Sequence, residues 1–497
     1  MSSSTKKRQK FYGNKKRRPQ HGSDAPSASH RLQGSEPLPA VEFSALPADL
    51  SEEEIGELVD ALPAYKKKTK PKPTRYSELE SLTVADLIEL ADKEKIELPS
   101  RKRRDIVWAI ATKRLEAHTP VIAEGTLEIT KEGPAFLRVA HNDYLPSLED
   151  VCVPPSLIER WGLQPGMWIE GPVRPPREGE RVLALWEVTT VDGGKPEALE
   201  GRTPFKELVP LYPDQRILLE GTKENPLEMR IVDLITPIGR GQRGLIVAPP
   251  RTGKTVLLQM LARSIVENAK DARLIVLLLD ERPEEVTDFR RMLAETSAEV
   301  ISSTFDEPAW RHIQVADMVI QQAKSRVEAG EDVVILLDSI TRLARACNVE
   351  APSNGKLLSG GMEASALQFP KKFFGAARNI ENGGSLTILG TALVETGSKM
   401  DELIFEEFKG TGNMELRLRR DLADKRVFPA IDVAASGTRR EEMLFTREEL
   451  QIIWKLRRVL ASLDPQAALE TLLSRMRKTE SNREFLIQVT RTTPSQN

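Results

Sequence analysis

The chain has 497 residues, of which 40% are hydrophobic and 29% are charged, and its formal net charge is −2. This balance is typical of a soluble globular protein with roughly two to four domains. No stretch approaches the roughly 18 apolar residues of a membrane span, and the basic N-terminus lacks the apolar segment of a secretory signal. We therefore expect a cytoplasmic protein with no membrane association. The cysteines, Cys152 and Cys347, could pair in principle, but a reducing setting favours free thiols.

The N-terminal tail differs in charge from the rest of the chain. Residues 1–22 carry eight Lys or Arg and no acidic residue, so the remainder is net acidic. Such a tail favours a polyanionic partner, although a tail that only improves solubility fits the pattern equally well. We expect residues 1–73 to be disordered, ending in a linker at 66–73, with a short helix around 52–62.

A small helical unit is predicted at residues 75–118. Thr83 and Asp86 resemble a capping box at the start of one helix, and Ser100 is a candidate N-cap for the next. The first turn of this second helix would hold the cations at 101–104, which oppose the helix macrodipole. Either solvent screens these charges or they face phosphate.

Short alternating strands separated by Gly and Pro follow at residues 121–192. The strands predicted here are 125–129, 136–139, 168–171 and 182–185. Their close spacing favours a small barrel, with an OB-fold as one option. After a connector at 193–225, strand and helix patterns alternate within residues 226–497, up to about residue 435. This alternation predicts an α/β domain with a mostly parallel sheet, followed by a helical C-terminus.

The strongest local motif lies between an apolar strand and a helix. Residues 248–255 fit the phosphate-binding P-loop pattern, with Ala248 in place of the first glycine. Backbone N–H groups of the loop and the helix N-terminus would hold phosphate oxygens of ATP. Lys254 would neutralise the β and γ phosphates, and the Thr255 hydroxyl would bind Mg²⁺. The residues expected to contact the nucleotide are Pro250, Arg251, Thr252, Gly253, Lys254 and Thr255.

Two further apolar strands end in acidic residues. The strand at 274–279 leads into Glu281, and the strand at 333–337 leads into Asp338. Ligand sites in open α/β sheets lie at the carboxyl ends of strands. Asp338 is therefore the candidate Mg²⁺ carboxylate, and Glu281 is the candidate to orient and deprotonate the attacking water. Alternatively, either acid could cap the helix that follows its strand.

Several segments between residues 236 and 432 are more specific than any single motif. They are 236–244 (TPIGRGQRG), 280–287 (DERPEEVT), 303–309 (STFDEPA), 337–346 (LDSITRLARA), 405–416 (FEEFKGTGNMEL) and 426–432 (RVFPAID). In content and order they resemble the family of transcription termination factor Rho, and the resemblance extends over roughly residues 75–490. It implies a RecA-like ATPase that forms a homohexameric ring and loads on nascent single-stranded RNA. Such a ring would translocate with ATP, unwind RNA–DNA hybrids and terminate transcription by RNA polymerase.

The resemblance also implies roles for residues around an ATP site shared between subunits. Glu281 matches the catalytic glutamate, and Arg282 matches an arginine that senses the nucleotide. Arg439 matches the arginine finger donated to a neighbour's ATP, with Arg426 near the same interface and Phe428 packing on adenine. A cation from a neighbouring subunit would stabilise the charge that spreads over the γ-phosphoryl during hydrolysis. Judged by pattern alone, each arginine could equally be a solvated surface charge.

Two loops resemble the family's RNA-gripping pore loops, one at residues 351–362 and the other at 395–399. The residues implied to contact RNA are Lys356, Leu357, Ser359, Gly360, Thr396 and Lys399. Glycine would let the loops change shape with nucleotide state, and the lysines supply charge for phosphate. Without the resemblance, both would be interpreted as ordinary flexible loops.

The barrel matches the family's second RNA site only in part. Phe136, Arg138, Glu180 and Arg181 match, and they are the candidate RNA-binding residues here. Where aromatic residues are expected, the chain has Pro134, Cys152 and Val182 instead. Each base–aromatic stack contributes about 1–3 kcal/mol, so the family's cytosine-rich preference does not carry over. The basic tail is a candidate to compensate through phosphate contacts.

Two other classes of protein share parts of this pattern. One is another RecA-like ring ATPase, such as a rotary ATP synthase subunit or a secretion-system ATPase. The other is an RNA-binding assembly protein with a weak motor. Retention of Lys254, Thr255, Glu281, Asp338 and Arg439 argues against a silent motor. Arg251 stands where the family commonly has lysine, so inhibitor sensitivity cannot be transferred to this loop.

Overall fold

A computed structural model describes residues 46–60, 72–130, 133–352 and 357–492. The basic tail at residues 1–22 and most of the linker predicted at 66–73 lie outside these ranges. No helix among the described residues is long and apolar enough to cross a membrane. Cys152 and Cys347 are both free and buried, and burial raises the pKa of each thiol to about 12.

The N-terminal part is mainly helical. Its elements are α1 (Glu52–Asp60), β1 (Thr74–Arg75), α2 (Tyr76–Ser81), α3 (Val84–Glu94) and α4 (Arg103–Glu116). The helix expected around 52–62 is present as α1, inside a stretch that the sequence predicts as disordered. The capping box of Thr83 and Asp86 at α3 is confirmed. The prediction that Ser100 caps α4 is wrong, because the N-cap is Lys102 and the Ser100 hydroxyl bonds to Asp105 instead.

A six-stranded sheet follows, curled into a small barrel. Its elements are β2 (Val121–Ile129), β3 (Ala135–Arg138), β4 (Val151–Val153), α5 (Pro155–Trp161), β5 (Trp168–Pro172) and β6 (Thr190–Val191). The strands pair in the order β4-β3-β2-β5-β6, with β1 beside β2. Residues 182–185, predicted as a strand, form only single bridges, which join Ala184 to Cys152 and Leu185 to Val173. These bridges connect β4 to β5 and close the barrel.

The connector and the first half of the α/β domain contain β7 (Pro210–Leu211), β8 (Arg216–Ile217), α6 (Leu227–Ile235), β9 (Ile238–Gly239), β10 (Arg243–Ala248), α7 (Lys254–Asn268), β11 (Ala272–Glu281), α8 (Pro283–Leu293), β12 (Glu299–Thr304) and α9 (Ala309–Glu328). The second half contains β13 (Asp332–Asp338), α10 (Ile340–Glu350), α11 (Gln368–Gly375), β14 (Arg378–Ile380), β15 (Ser385–Leu393), α12 (Lys399–Lys409), β16 (Met414–Arg417), α13 (Arg420–Asp424), β17 (Gly437–Thr438), α14 (Arg447–Ala461), α15 (Pro465–Met476) and α16 (Asn482–Thr492).

The sheet of this domain runs β12-β11-β13-β15-β10-β16-β17. Pairing is parallel from β12 to β16 and antiparallel only at β17 and at the short β14 and β7. Side chains alternate along each strand, so successive residues enter cores on opposite faces. On β11, for example, Val276 and Leu278 join the core with α7 and α8, whereas Ile275 and Leu277 join the core with α9 and α10. The mostly parallel α/β fold expected from the sequence is confirmed.

The barrel is fastened to the α/β domain by buried polar contacts. Tyr144 is fully buried, and its hydroxyl donates to Gln322 Oε1 of α9 at 2.7 Å. The Asp143 carboxylate accepts from the backbone N–H of Ser302 on β12, also at 2.7 Å. Near the other end of the barrel, a Cβ added at Gly166 would lie 2.2 Å from the backbone carbon of Gln321. The two parts therefore meet at backbone contact distance.

We predict that Gly166→Ala weakens this junction. Gly166 has φ +91°, where a Cβ is strained, and the new methyl would also overlap the backbone of α9. Strain and overpacking together should lower the free energy of unfolding by about 3 kcal/mol. Chemical denaturation followed by circular dichroism measures the change.

Gly162→Ala is the matched control for this substitution. Gly162 also has positive φ, at +61°, but a Cβ there meets nothing within 4 Å. It should lose only about 1 kcal/mol from backbone strain. If both variants lost the same free energy of unfolding, the close approach of Gly166 to α9 would contribute nothing to the loss.

Candidate functional site

The P-loop follows β10 and ends where α7 begins, at Lys254. Arg251 and Gly253 both have positive φ, at +65° and +85°, so the backbone coils back on itself. The Thr252 hydroxyl donates to the Pro249 carbonyl at 2.8 Å and fixes this turn. The N–H groups at the start of α7 thus face one concavity, as a phosphate-binding loop requires.

Lys254 joins the acids that end two neighbouring strands. Its Nζ lies 2.6 Å from Asp338 Oδ1 and 3.1 Å from Glu281 Oε1. The acids are close because β11 and β13 pair in parallel, with Leu278 opposite Asp338. The Thr391 hydroxyl on β15 donates to the same Asp338 oxygen at 2.6 Å and orients it. The structure thus brings together the lysine and both carboxylates named from the sequence.

Burial and the charges of neighbouring groups together shift the pKa values in this cluster. Burial raises the pKa of Glu281 above its usual range, and the charge of Asp338 raises it further, whereas Lys254 and Arg342 oppose the rise. For Lys254, burial lowers the pKa, but the facing Asp338 and Glu281 outweigh it and the net pKa is raised. A carboxylate with a raised pKa next to a phosphate site is suited to accept a proton from water.

Glu285 was not identified from the sequence as part of the site. The Thr255 hydroxyl donates to Glu285 Oε2 at 3.0 Å, which places a third carboxylate beside the hydroxyl that the sequence predicts to bind Mg²⁺. Glu285 lies about one turn after Glu281, at the start of α8, so its position in that segment was the available signal. The described residues hold no cluster of three or more His, Cys, Asp or Glu arranged to bind a metal alone. A Thr hydroxyl with nearby carboxylates fits Mg²⁺, which keeps water and phosphate ligands.

Phe428 lies against the P-loop. A Cβ placed on Gly253 would be 3.7 Å from the Phe428 ring. Phe428 is 42% exposed, so part of its surface is free beside the phosphate loop. An exposed aromatic face here suits a nucleotide base. Three predicted site arginines are exposed, namely Arg251, Arg282 and Arg426. Arg282 directly follows Glu281 and is the N-cap of α8.

Arg439 lies at the opposite end of the sheet from the P-loop of its own chain. Its N–H donates to the Asn413 carbonyl at 2.8 Å, and the Asn413 N–H donates to Arg243 at 2.9 Å. Arg243 is the first residue of β10, whereas Lys254 follows the last. Six residues of strand span roughly 20 Å. The exposed Arg439 therefore lies well away from the site of its own chain.

The two predicted RNA loops meet. Gly360 has φ +73°, and a Cβ there would lie 2.8 Å from the Lys399 backbone carbon. Leu357 is 62% exposed, and Lys399 is exposed at the start of α12. Ser359 and Gly360 lie in one turn of 3₁₀ helix, and the Thr396 hydroxyl donates to Asp401 at 2.6 Å. Lys356 lies outside the described residues.

The predicted RNA residues of the barrel are mostly enclosed. Phe136 is only 7% exposed and Arg138 only 5%. The Arg138 guanidinium lies 4.9 Å from the Phe136 ring centroid, donates to Glu128 at 2.6 Å and pairs with Asp150. Burial raises the pKa of Asp150 to about 6, and Arg138 opposes the rise. Both candidates are thus held in a network that leaves little surface free.

Glu180 and Arg181 lie apart from this network. Both Glu180 oxygens accept from Arg174 at 2.8 Å, and the Arg174 side chain is only 1% exposed. Arg181 is exposed, and its carbonyl accepts from Arg104 at 3.3 Å. Arg174 was not foreseen, because a buried arginine is recognised only from its long-range partners.

Comparison with known proteins matches two parts of the chain to two different family models. Residues 123–197 match the family model for the Rho termination factor RNA-binding domain, and residues 228–438 match the nucleotide-binding domain of the ATP synthase alpha/beta family. With the phosphate loop and the acid pair, these matches define a RecA-like ATPase joined to an RNA-binding barrel.

Curated relatives make the assignment more specific. The chain is 52% identical to transcription termination factor Rho of Pseudomonas aeruginosa over 82% of this chain and 98% of that protein. It is 53% identical to the Rho of Haemophilus influenzae and 52% identical to that of Escherichia coli, with the same coverage. The chain belongs to the family of transcription termination factor Rho. It is an RNA-dependent, ATP-driven termination factor, which sets aside the rotary and secretion-system alternatives.

We predict that Glu281→Gln abolishes turnover and leaves nucleotide binding intact. The amide keeps the shape but cannot accept the proton of the attacking water, so RNA-stimulated phosphate release should fall roughly 100-fold or more. Glu284→Gln, on the exposed side of α8, is the matched control and should change little. Near-normal turnover in Glu281→Gln, with ATP bound normally, would remove Glu281 from the catalytic role.

Proposed function

We propose that the protein is a Mg²⁺-dependent translocase that assembles as a homohexameric ring around single-stranded RNA. It moves along the nascent transcript, unwinds RNA–DNA hybrids and acts on transcribing RNA polymerase in the cytoplasm. The main support is the position of Arg439, at the far end of β10 from the P-loop of the same chain.

An arginine at that distance can serve catalysis only in another subunit. In a ring, the edge that carries Arg439 would face the neighbour's P-loop edge, and the guanidinium would reach the γ-phosphate there. Charge spreads over the γ-phosphoryl in the transition state, so a cation from the neighbour links hydrolysis to the contact between subunits. Arg426 and Arg282 are proposed to sense the nucleotide at that contact, with Phe428 against adenine.

Within one site, the residues take distinct roles. Lys254 leaves the carboxylates to neutralise the β and γ phosphates, and Glu281, freed from the lysine, orients and deprotonates water. Thr255 and Asp338 are proposed to hold Mg²⁺, with Glu285 hydrogen-bonded to the Thr255 hydroxyl. The ion would neutralise charge on the phosphate oxygens when bound.

ATP hydrolysis is proposed to be coupled to RNA movement through β15, which contacts Asp338 and leads into a proposed RNA loop. Thr391 on β15 donates to Asp338, and five residues later Thr396 stands in the loop proposed to contact RNA. Gly360 packs against the backbone of Lys399, so the two loops move as one unit. A change at Asp338 is thus transmitted over a short path to Lys399. Lys356, Leu357 and Ser359 are proposed to complete the grip on the RNA backbone.

We propose that the barrel loads the RNA. Phe136 and Arg138 lie on its outward face, and Glu180 and Arg181 lie beside that face. The two matches to family models support this division of labour, with residues 121–192 for loading and 226–497 for the motor.

Mixing two inactive variants tests the shared site. Lys254→Ala removes a subunit's own phosphate contact, and Arg439→Ala removes the cation it gives to its neighbour, so each alone should lack turnover. In mixed rings, an Arg439→Ala subunit placed beside a Lys254→Ala subunit regains a complete site. We expect part of the RNA-stimulated ATPase rate to return on mixing.

The outcome depends on true co-assembly. Differently tagged subunits, purified through both tags, show that rings contain both variants. No recovery in such rings would contradict the transfer of Arg439 to a neighbour.

We predict that Lys399→Ala uncouples hydrolysis from movement along RNA. Loss of one phosphate contact in the pore should lower displacement of DNA from an RNA–DNA hybrid roughly tenfold, with ATP binding unchanged. Lys270→Ala is the control, because Lys270 is exposed just before β11, at the opposite edge of the sheet. Equal displacement by the two variants would place Lys399 outside the RNA path.

A further inference from the structure

Residues 46–60, here called the strap, precede the helical unit and lie on the barrel. The Ala48 N–H donates to Glu180 Oε1 at 3.0 Å, and the Ala48 carbonyl accepts from Arg174 at 3.1 Å. The Asp49 carboxylate accepts from the backbone N–H of Ser156 at 3.0 Å and from its hydroxyl at 2.6 Å. The strap is therefore anchored beside β4 and beside Glu180.

Helix α1 continues the contact with acidic side chains. Glu52 pairs with Arg160 of α5 at 2.6 Å, and Glu54 pairs with Arg177 at 2.9 Å. Within the described residues, the hydrogen bonds and ion pairs that leave the strap end on the barrel. Three carboxylates thus occupy hydrogen-bond donors and cations of the barrel that would suit the phosphates of a nucleic acid.

The strand register directs one set of barrel side chains outward, beneath the strap. These side chains are nevertheless buried. Phe136 pairs with Cys152, and Cys152 bridges to Ala184, so these side chains share one face. Their strand neighbours, such as Leu137 and Val151, belong to the barrel core, which fixes the first set as outward-facing. Phe136, Cys152 and Ala184 are nevertheless each 7% exposed or less.

Two apolar side chains of the strap are buried as well. Leu50, just before α1, and Ile55, within it, are each only 7% exposed, although so short a segment cannot bury them by itself. Besides burial, the charge of the neighbouring Asp49 raises the pKa of the Cys152 thiol, so the strap lies close to the outward face.

We propose that the strap is an intramolecular competitor of single-stranded RNA for the outward face of the barrel. Its carboxylates take the place of phosphates at Ser156, Arg160 and Arg177, and its backbone at Ala48 occupies Glu180 and Arg174. This inference rests on the proposed role of the barrel in loading RNA. The protein would then bind RNA on this face only after the strap has left it.

The contacts are suited to exchange. The Glu52 and Arg160 side chains are 83% and 56% exposed, and those of Glu54 and Arg177 are 45% and 38% exposed. Exposed ion pairs of this kind are individually weak and are screened by salt. What favours the strap is its high effective concentration as part of the same chain. An RNA with many phosphates can compete with such a segment.

The test neutralises the contacting acids and leaves the segment in place. The triple variant Asp49→Asn, Glu52→Gln, Glu54→Gln is compared with a control, Glu53→Gln, Glu57→Gln, Asp60→Asn, whose residues are exposed on the same helix. Both remove three negative charges, so nonspecific attraction to RNA rises equally. Short labelled single-stranded RNAs of cytidine, uridine or adenosine are titrated by fluorescence anisotropy. We expect the triple variant to bind roughly tenfold more tightly than the control.

Hydrogen exchange gives a second readout that does not depend on a substitution. Amides of α1 should be protected in the free wild-type chain and should lose protection when the same RNAs bind. Equal affinities for the two variants, together with unchanged protection of α1, would overturn the competitor proposal.

A further variant separates this failure from a failure of the proposed loading role. If Phe136→Ala weakens RNA binding but the triple variant does not strengthen it, the barrel loads RNA and the strap is only structural. If Phe136→Ala changes nothing, even in the triple variant, the barrel face does not bind RNA and both proposals fall.

Discussion

Parallel pairing of β10, β11, β13 and β15 is the constraint on which the rest of the structure depends. It directs four strand ends to one edge, so the phosphate loop, the proposed catalytic carboxylates and one proposed RNA loop converge there. Lys254 at 2.6 Å from Asp338 and Thr391 at the same distance from the same oxygen are direct results of that order. The proposed catalytic groups and the proposed RNA loop are thus close together because the strands that carry them are neighbours in the sheet.

The sequence predicted this edge well because its signals are local. A strand followed by a P-loop turn and a helix identified Lys254, and acids at strand ends identified Glu281 and Asp338. Residues defined by long-range partners were not foreseen. Glu285 was recognised only from its contact with Thr255, and the enclosure of Phe136 only from the Arg138 network beside it. The N-cap of α4 was misassigned for a local reason, because the Ser100 hydroxyl bonds to Asp105, and the helix starts at Arg103.

Two of the proposals concern how functional groups are shared. In the first, one ATP site is divided between two subunits, and in the second, a segment of the chain competes with RNA for the barrel. Arg439 is exposed and remote from its own P-loop, so the proposed chemistry requires a neighbour. The strap shows the reverse relation, since a segment of the chain satisfies groups on the barrel that a partner would otherwise meet. In both proposals the isolated subunit has its charged groups either unused or internally paired, and assembly or RNA would change the pairing.

The junction between barrel and motor has a mechanical consequence. Tyr144 and Gly166 join the barrel to α9 through a buried hydrogen bond and direct backbone contact, and Asp143 joins it to β12. These contacts oppose independent movement of the barrel, so the outward face of the barrel and the loop at Lys399 should keep a similar separation within a subunit. A transcript held at both places would have a set length between them, and any pull at the loop would appear as tension in the RNA.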